Sequence, residues 1–226
     1  MVVAIGDILT PAMGVALSPF PIVAVILMLL SEQGRAKGLG FMVGWVVGLT
    51  AMVGVVLVLA ELLGIEKDGS APSTMALLVK LALGVGLVYL AVKKWWTRPK
   101  GDEPEPMPGW MASIEGASPG KAVMYGAMLS GLNPKNLLFN IVAGTAIASA
   151  GASLSGEIVA WSVYILLASL SVIGPVVWYM VSPVSASARL EEPRRWLIRH
   201  SGVMVAVILL FVGVSQIGDA ISGFGA

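Results

Sequence analysis

The sequence predicts an all-α membrane protein with six transmembrane helices, arranged as two inverted three-helix repeats in which helices 1 and 4 are broken. Of the 226 residues, 57% are hydrophobic and only 12% are charged, whereas soluble domains carry about 25% charged residues. Apolar stretches of about 20 residues, the length that crosses a bilayer, recur along the whole chain. Prolines interrupt the first and fourth of these stretches, and a lysine lies inside the fourth.

The spans are predicted, in chain order, near residues 8–31, 38–63, 73–96, 119–149, 154–181 and 199–222. Short connections near Gly34, Gly69, Gly151 and Pro193 contain Gly, Ser, Pro or charged residues, which is typical of turns. The first span is expected to be retained rather than cleaved as a signal peptide. No Lys or Arg precedes it, and prolines interrupt it.

One connection is much longer than the others and divides the chain into two halves. Residues 97–118 are rich in Pro, Gly and acidic residues, a composition typical of a flexible linker. We therefore expect a first three-helix repeat over residues 1–96, a cytoplasmic linker over 97–118 and a second three-helix repeat over 119–226.

Basic residues mark one side of the membrane. Lys and Arg cluster after span one, around the linker and between spans five and six, whereas Lys67 stands alone among acidic residues on the other side. The positive-inside rule then predicts a multi-pass protein of the plasma (inner) membrane with these connections in the cytoplasm and both termini outside. The same side carries a predicted aromatic belt that consists of Trp95, Trp96, Trp178, Tyr179 and Trp196.

Spans one and four share a short pattern that indicates an internal duplication. Residues 14–18 read G-V-A-L-S and residues 126–130 read G-A-M-L-S, and a proline follows in both. The alternative is chance similarity between two apolar segments. Because three spans per half is an odd number, the second half must enter the membrane in the opposite sense. Such inverted repeats are common among secondary transporters.

The prolines predict a break in each of these two spans near the middle of the membrane. Proline lacks an N–H group and disfavours helical conformation in the residue before it. Asn133 is a good N-cap and Pro134 a good first helical residue, and Ser18 and Pro19 can play the same parts in span one. Two half-helix N-termini, each with partial positive charge and unpaired N–H groups, would then face the midplane from opposite sides.

Lys135 adds a full charge at the same level, where no carboxylate is predicted to pair with it. The site is therefore electropositive and suits a carboxylate, phosphate or sulfate, whereas a divalent cation would need oxygen ligands of opposite charge. The expected substrate-binding residues are Ser18, Pro19, Pro21, Asn133, Pro134, Lys135, Asn136 and Asn140. The alternative is that the prolines only kink the helices and the asparagines only satisfy freed backbone groups.

Other features narrow the classes of function. The chain has no cysteine and a single histidine, His200, so no thiolate or histidine-cluster metal site is expected. It contains no HExxH or nucleotide-binding motif. We expect no enzyme activity, no cofactor, no metal and no nucleic-acid partner. Gly40, Gly44 and Gly48 form a small-residue stripe on span two, for which internal helix packing is favoured over a homodimer face.

The chain resembles the lysine exporter (LysE) superfamily over essentially its whole length. Six spans in two halves, a proline-containing first span and the Asn-Pro-Lys motif at 133–135 carry the resemblance. Residues 17–21 (L-S-P-F-P) and 131–137 (G-L-N-P-K-N-L) are most similar to the glycolipid-addressing branch, the sulfolipid-1-addressing (Sap) proteins. Phe20 stands where the amino-acid exporters of the superfamily have the glycine of a Pro-Gly-Pro turn, which weighs against a small amino-acid substrate.

The resemblance implies export from the cytoplasmic side, with a lipid or glycolipid as the substrate class. The leading hypothesis is a secondary transporter that exports an anionic lipid or glycolipid, or its precursor, through a midplane site at the two breaks. The first alternative is an exporter of a small polar solute such as an amino acid. The second is a non-transporting accessory subunit of a lipid-synthesis or export complex. The expected partner is accordingly a membrane lipid or an anionic small molecule.

Overall fold

The regular structure of the protein is helical throughout the part of the chain that the computed structural model describes, which is residues 2–62, 74–98, 113–114 and 116–224. The α-helices are α1 (Val2–Ala16), α2 (Pro19–Leu30), α3 (Gly34–Leu62), α4 (Thr74–Thr97), α5 (Pro119–Ala127), α6 (Pro134–Ser149), α7 (Leu154–Val181) and α8 (Pro183–Phe224). A π-helical segment, Met128–Leu132, joins α5 to α6. The predicted all-α fold is therefore confirmed.

Several of these helices are able to cross a membrane. Within the described residues, α3, α4, α7 and α8 are long and apolar enough, and α1 and α2 pass the same test together as a bent pair. By length and composition the chain thus has four or five membrane-capable elements, as expected of a multi-pass membrane protein. The predicted fourth span, 119–149, corresponds to α5, the π-helical segment and α6.

The predicted turn near Pro193 is wrong. The chain turns at Ser182 instead, and α8 runs without interruption from Pro183 to Phe224. Pro193 removes only one backbone hydrogen bond, and the helix continues through it beside ion pairs from Glu191 to Arg194 and Arg195 at 2.8 and 3.4 Å.

Some of the sequence predictions fall outside the described residues. These are the turn at Gly69, the orientation argument from Lys67, and most of the linker, of which residues 99–112 and 115 are not described.

The first span breaks between α1 and α2, whose axes are bent by 53°. The carbonyls of Val15 and Leu17 lose their usual donors because Pro19 and Pro21 stand four residues ahead. The N–H of Ser18 bonds to the Val15 carbonyl at 3.0 Å instead. Ser18 itself is extended, with φ −69° and ψ 111°, so the helix stops and restarts at Pro19 as predicted.

The second break follows the π-helical segment and has the predicted capping residues. Asn133 is extended, with φ −61° and ψ 124°, and its N–H bonds to the Met128 carbonyl at 3.0 Å. Its side-chain oxygen accepts a hydrogen bond from the N–H of Lys135 at 3.1 Å. Asn133 is therefore the N-cap of α6, and Pro134 is its first residue.

Glycines bring α3 and α5 into close contact. A Cβ at Gly40 would lie 2.8 Å from the Pro119 carbonyl oxygen, and one at Gly44 would overlap the Val123 backbone. On the α5 side of the same contact, a Cβ added at Gly126 would lie 2.8 Å from the backbone nitrogen of Trp45 in α3. The glycine stripe of the second span is thus used for internal packing, as the sequence favoured.

Candidate functional site

The two helix breaks lie side by side, although they are far apart in the chain, and the bonded residues Ser18 and Asn136 are 118 positions apart. The Ser18 hydroxyl donates to the side-chain oxygen of Asn136 at 2.7 Å in a buried contact. Nearby, the Lys135 ammonium donates to the backbone carbonyl of Gly14 at 2.6 Å. That carbonyl is available because the Ser18 N–H, its usual helical partner, bonds to Val15 instead. The fold therefore joins residues from both halves of the chain in one site.

Two buried asparagines satisfy the carbonyls that the second break leaves without backbone partners. The Asn136 amide donates to the Leu129 carbonyl at 2.8 Å, and the Asn140 amide donates to the Ser130 carbonyl at 2.9 Å. Ser130 needs such a donor because the residue four positions ahead is Pro134. The Tyr164 hydroxyl of α7 completes the network by donating to the Asn140 side-chain oxygen at 2.7 Å.

A cavity of about 320 Å³ opens beside this network. Six of the predicted site residues line it, namely Ser18, Pro19, Pro21, Asn133, Pro134 and Lys135. The remaining lining residues are Phe20, Leu90, Lys93, Lys94, Thr97, Val205 and Leu209. We call this cavity the lysine pocket. Asn136 and Asn140 are buried behind it and do not line it, so a direct role of these two side chains in substrate binding stays a prediction.

Lys135 holds its ammonium at the wall of the lysine pocket. The nitrogen lies 4.9 Å from the centre of the Phe139 ring, which attracts a cation through its π-electrons. Only the Gly14 carbonyl accepts a hydrogen bond from this ammonium among the described residues. Because an ammonium has three N–H donors, two stay available for a ligand. No carboxylate of the described chain forms a salt bridge with Lys135.

The electrostatics of the lysine pocket favour an anion. Lys93, Lys94 and Lys135 line it, and none of its lining residues is acidic. The N-termini of α2 and α6 also border it, at Pro19 and Pro134, and each contributes partial positive charge. In the described part of the chain, no group of three or more His, Cys, Asp or Glu side chains is placed to hold a metal ion.

Sequence reasoning missed several residues of this site. Lys93 and Lys94 have a sequence signal, but that signal predicts only the cytoplasmic flank of a span. It does not predict that the end of α4 lies next to the helix breaks. Phe139 and Tyr164 read as ordinary apolar-helix residues. Only their contacts with Lys135 and Asn140 show what they do.

A comparison with protein families matches nearly the whole of this chain. A family model described as "Sap, sulfolipid-1-addressing protein" matches residues 8–222, a range that contains both breaks and every residue of the lysine pocket. The match confirms the branch to which the sequence is most similar, while the wider lysine exporter superfamily stays a prediction. No curated protein and no solved structure matches the chain significantly.

Proposed function

The chain belongs to the sulfolipid-1-addressing (Sap) protein family, and from that premise we propose that it is a secondary transporter that exports an anionic lipid or glycolipid, or its precursor, across the inner membrane. The observation that carries this proposal is the lysine pocket. Three lysines and two helix N-termini converge on one cavity that has no acidic lining residue. A sulfate, phosphate or carboxylate headgroup satisfies such a site, because anions bind at helix N-termini and form charge-assisted hydrogen bonds with lysine.

The proposed architecture is six spans in two inverted three-helix repeats, with α1–α2 as the first span and α5–α6 as the fourth. The packing of the helices supports it. The first half-helix α1 packs on α7, and its counterpart α5 packs on α3. The second half-helix α2 packs on α8, and its counterpart α6 contacts α4. Each half-helix thus meets the equivalent element of the other half, as a pseudo-two-fold axis in the membrane plane requires.

The depth of the pocket fits the same proposal. Helix α2 contains 12 residues, so at about 1.5 Å per residue the first break lies about 18 Å from the end of the span. That is near the middle of a hydrocarbon core about 30 Å thick. The pocket extends from this break to Lys93, Lys94 and Thr97 in the last turns of α4, the end that the positive-inside rule assigns to the cytoplasm.

Two contacts between the halves offer a way to couple binding to movement. The Lys135 ammonium bonds to the Gly14 carbonyl, and the Ser18 hydroxyl bonds to Asn136. An anionic headgroup that binds the two remaining N–H donors would draw the ammonium away from the neutral Gly14 carbonyl, because hydrogen bonds between two charged groups are stronger. We propose that this exchange loosens the contact between the breaks and lets one half rock against the other, carrying the headgroup outward.

The test is complementation of a strain that lacks this gene, with envelope lipids and cytosolic amino acids measured together. Lys135→Gln removes the charge but keeps a hydrogen-bond donor for Gly14. We expect the wild type to restore one missing envelope lipid and Lys135→Gln to leave its precursor at the inner membrane. Lys121→Gln, an exposed lysine of α5 outside the pocket, is the matched control and should complement fully.

Other outcomes would reject this proposal in favour of its alternatives. Normal lipids with an accumulated amino acid in the deletion strain would indicate an exporter of small solutes. A lipid defect that Lys135→Gln corrects as well as the wild type would indicate an accessory subunit that does not use the lysine pocket. These conclusions require that the variants and the wild type have equal expression and equal melting temperature, so that a difference in complementation does not come from misfolding.

A further inference from the structure

A second cavity lies on the other side of the helix pair that closes the lysine pocket. This groove of about 490 Å³ is lined by Ala91, Trp95 and Trp96 of α4 and by Ala206, Val207 and Leu210 of α8, with no charged residue among its lining. We call it the apolar groove. Its lining includes strongly exposed apolar side chains, with Trp96 76% and Val207 53% exposed, so it opens toward the bilayer.

The apolar groove and the lysine pocket are at the same level of the α4–α8 pair. On α4, Leu90 and Lys94 line the pocket while the next residues, Ala91 and Trp95, line the groove. On α8, Val205 and Leu209 alternate in the same way with Ala206 and Leu210. Each residue turns the helix by about 100°, so the pocket residues of α4 (90, 93, 94 and 97) share one face and its groove residues (91, 92, 95 and 96) share the opposite face. The two cavities therefore lie on opposite faces of one helix–helix seam.

The packing of the α4–α8 seam differs along its length. The two backbones touch near the middle of α4, and small side chains are found in the seam at the level of the cavities. Near the middle of α4, a Cβ at Gly84 would come within 2.9 Å of the Gly213 carbonyl, so the two backbones are in contact there. At the groove, the buried residues of the seam include Ala91 and Ala206, each only 3% exposed. These two alanines contribute little side-chain volume, and the larger buried side chain at this level is Leu209, also 3% exposed.

We propose that the α4–α8 seam is a lateral entrance for a lipid from the inner leaflet, with its anionic headgroup in the lysine pocket and an acyl chain in the apolar groove. This inference rests on the proposed function and extends it to the route of the substrate. A cavity of about 320 Å³ is at the lower limit for ligand sites, roughly 300–1,000 Å³, and holds a headgroup but not the chains. The chains of a bilayer lipid are already at the outer face of the seam.

The charge around the seam favours a lipid over a second copy of the chain as the occupant. The groove lies across the same two helices from a pocket that contains Lys93, Lys94 and Lys135. An amphiphile with an anionic head and an apolar tail complements both sides at once, whereas a packed helix would use only the apolar side. Trp95 and Trp96 stand at the end of α4, where aromatic side chains line the headgroup level of a membrane.

The experiment uses the full chain in phosphatidylcholine nanodiscs that contain a trace of photoreactive lipid. One probe is phosphatidylglycerol with a diazirine in its acyl chain, and the other is phosphatidylcholine with the same chain. We expect the anionic probe to label residues 91–96 and 206–210 roughly tenfold more than the neutral probe, the factor expected from one or two lysine–anion contacts. The double variant Lys94→Gln, Lys135→Gln should remove this excess.

Two tryptophan variants of α8 separate the groove from ordinary lipid contact. Val207→Trp fills the groove and should reduce its labelling by the anionic probe several-fold. Val214→Trp is the matched control, because Val214 is similarly exposed at 56% and lies two turns along the same helix outside both cavities. It should leave the labelling unchanged.

Native mass spectrometry of retained phosphatidylglycerol separates failure of this inference from failure of the proposed function. If the lysine variant retains as much of this lipid as the wild type, the lysine pocket is not an anion site and the proposed function fails. If retention falls but both probes label the groove equally, the lateral entrance alone is overturned. Protection of the groove from both probes would show a second copy there and would also overturn it.

Discussion

Single side chains replace the backbone hydrogen bonds that the two breaks remove. The Leu129 and Ser130 carbonyls receive the amides of Asn136 and Asn140, and the Gly14 carbonyl receives the ammonium of Lys135. Inside a membrane, each unsatisfied backbone group costs several kcal/mol because no water can replace the lost partner. The polar residues of α6 therefore have two different roles. Asn136 and Asn140 stabilise the break, whereas Lys135 lies at the wall of the lysine pocket.

The buried Asn140 is predicted to be important for stability. Asn140→Leu preserves the approximate volume but leaves the Ser130 carbonyl and the Tyr164 hydroxyl without partners, each at a cost of about 1–3 kcal/mol. A clear fall in the melting temperature in detergent or nanodiscs would reveal this loss. Ser162→Ala is the control, because that exposed hydroxyl bonds only to its own helix at Ile158. Similar melting of the two variants would contradict the prediction.

Lys94 is predicted to contribute to anion binding even though the sequence marks it only as a flanking charge. It lines the lysine pocket, with its nitrogen 6.0 Å from the centre of the Phe20 ring. Lys94→Gln should weaken binding of a soluble anionic lipid, dihexanoyl phosphatidylglycerol, by about five- to tenfold, the effect of one lysine near a membrane anion. Titration calorimetry measures this change. Affinity equal to that of Lys121→Gln, whose lysine lies outside the pocket, would refute it.

At the scale of helices, glycine residues determine how closely α3 and α5 approach each other. Gly44 of α3 lies against the Val123 backbone, and Gly126 of α5 lies against Phe41 and Trp45. This contact holds α5 and the π-helical segment in place just before the break. The position of Asn133 and Lys135 at the pocket therefore depends on glycines that have no chemistry of their own.

A pair of glycine substitutions tests this dependence. Gly44→Ala places a methyl group into the Val123 backbone, and overpacking of this kind costs typically 1–3 kcal/mol. Gly86→Ala meets nothing within 4 Å in α4 and should be neutral or stabilise its helix by up to about 1 kcal/mol. We expect a lower melting temperature for the first variant only. If both variants melt alike, the close α3–α5 contact is not what holds the break.

At the scale of the whole molecule, the two halves are interlocked rather than adjacent. Each half-helix packs against the other half: α1 on α7, α5 on α3, and α2 on α8. The lysine pocket forms only when the two halves pack together in this way, because its lining comes from α2 and α4 of the first half and from α6 and α8 of the second. Movement of one half against the other would change the pocket directly.

The six-span topology predicts which surface residues are accessible from each side. The chain has no cysteine, so single cysteines can be introduced at exposed positions and labelled with an impermeant thiol reagent in intact cells. Ser153→Cys and Ser222→Cys should react from outside, whereas Gln33→Cys and Ser185→Cys should react only after permeabilisation. If position 33 is labelled in intact cells while Ser222→Cys is not, the predicted orientation is inverted. The predicted topology places five spans between positions 33 and 222, so the two must lie on opposite sides. If Gln33→Cys and Ser222→Cys react from the same side, an even number of spans separates them and the topology is wrong.

Local sequence signals predict most helices of this protein and both of the breaks at Pro19 and Pro134. Hydrophobic length predicts α3, α4 and α7 to within a few residues, and the proline and N-cap signals predict the restarts at Pro19 and Pro134. These signals are local, because they act through backbone geometry within a few residues. The same locality explains the wrong turn at Pro193, where a helix of 42 residues runs through a proline.

The roles of the polar residues of α6 depend on how the helices pack. Lys135, Asn136 and Asn140 look alike as costly polar groups in an apolar span. Their roles separate once α1, α7 and the end of α4 are packed around them, since burial and available partners are properties of the assembled helices. The two asparagines then satisfy carbonyls and Tyr164, while Lys135 lines one pocket together with Lys93 and Lys94, and no local pattern could predict that these three lysines meet.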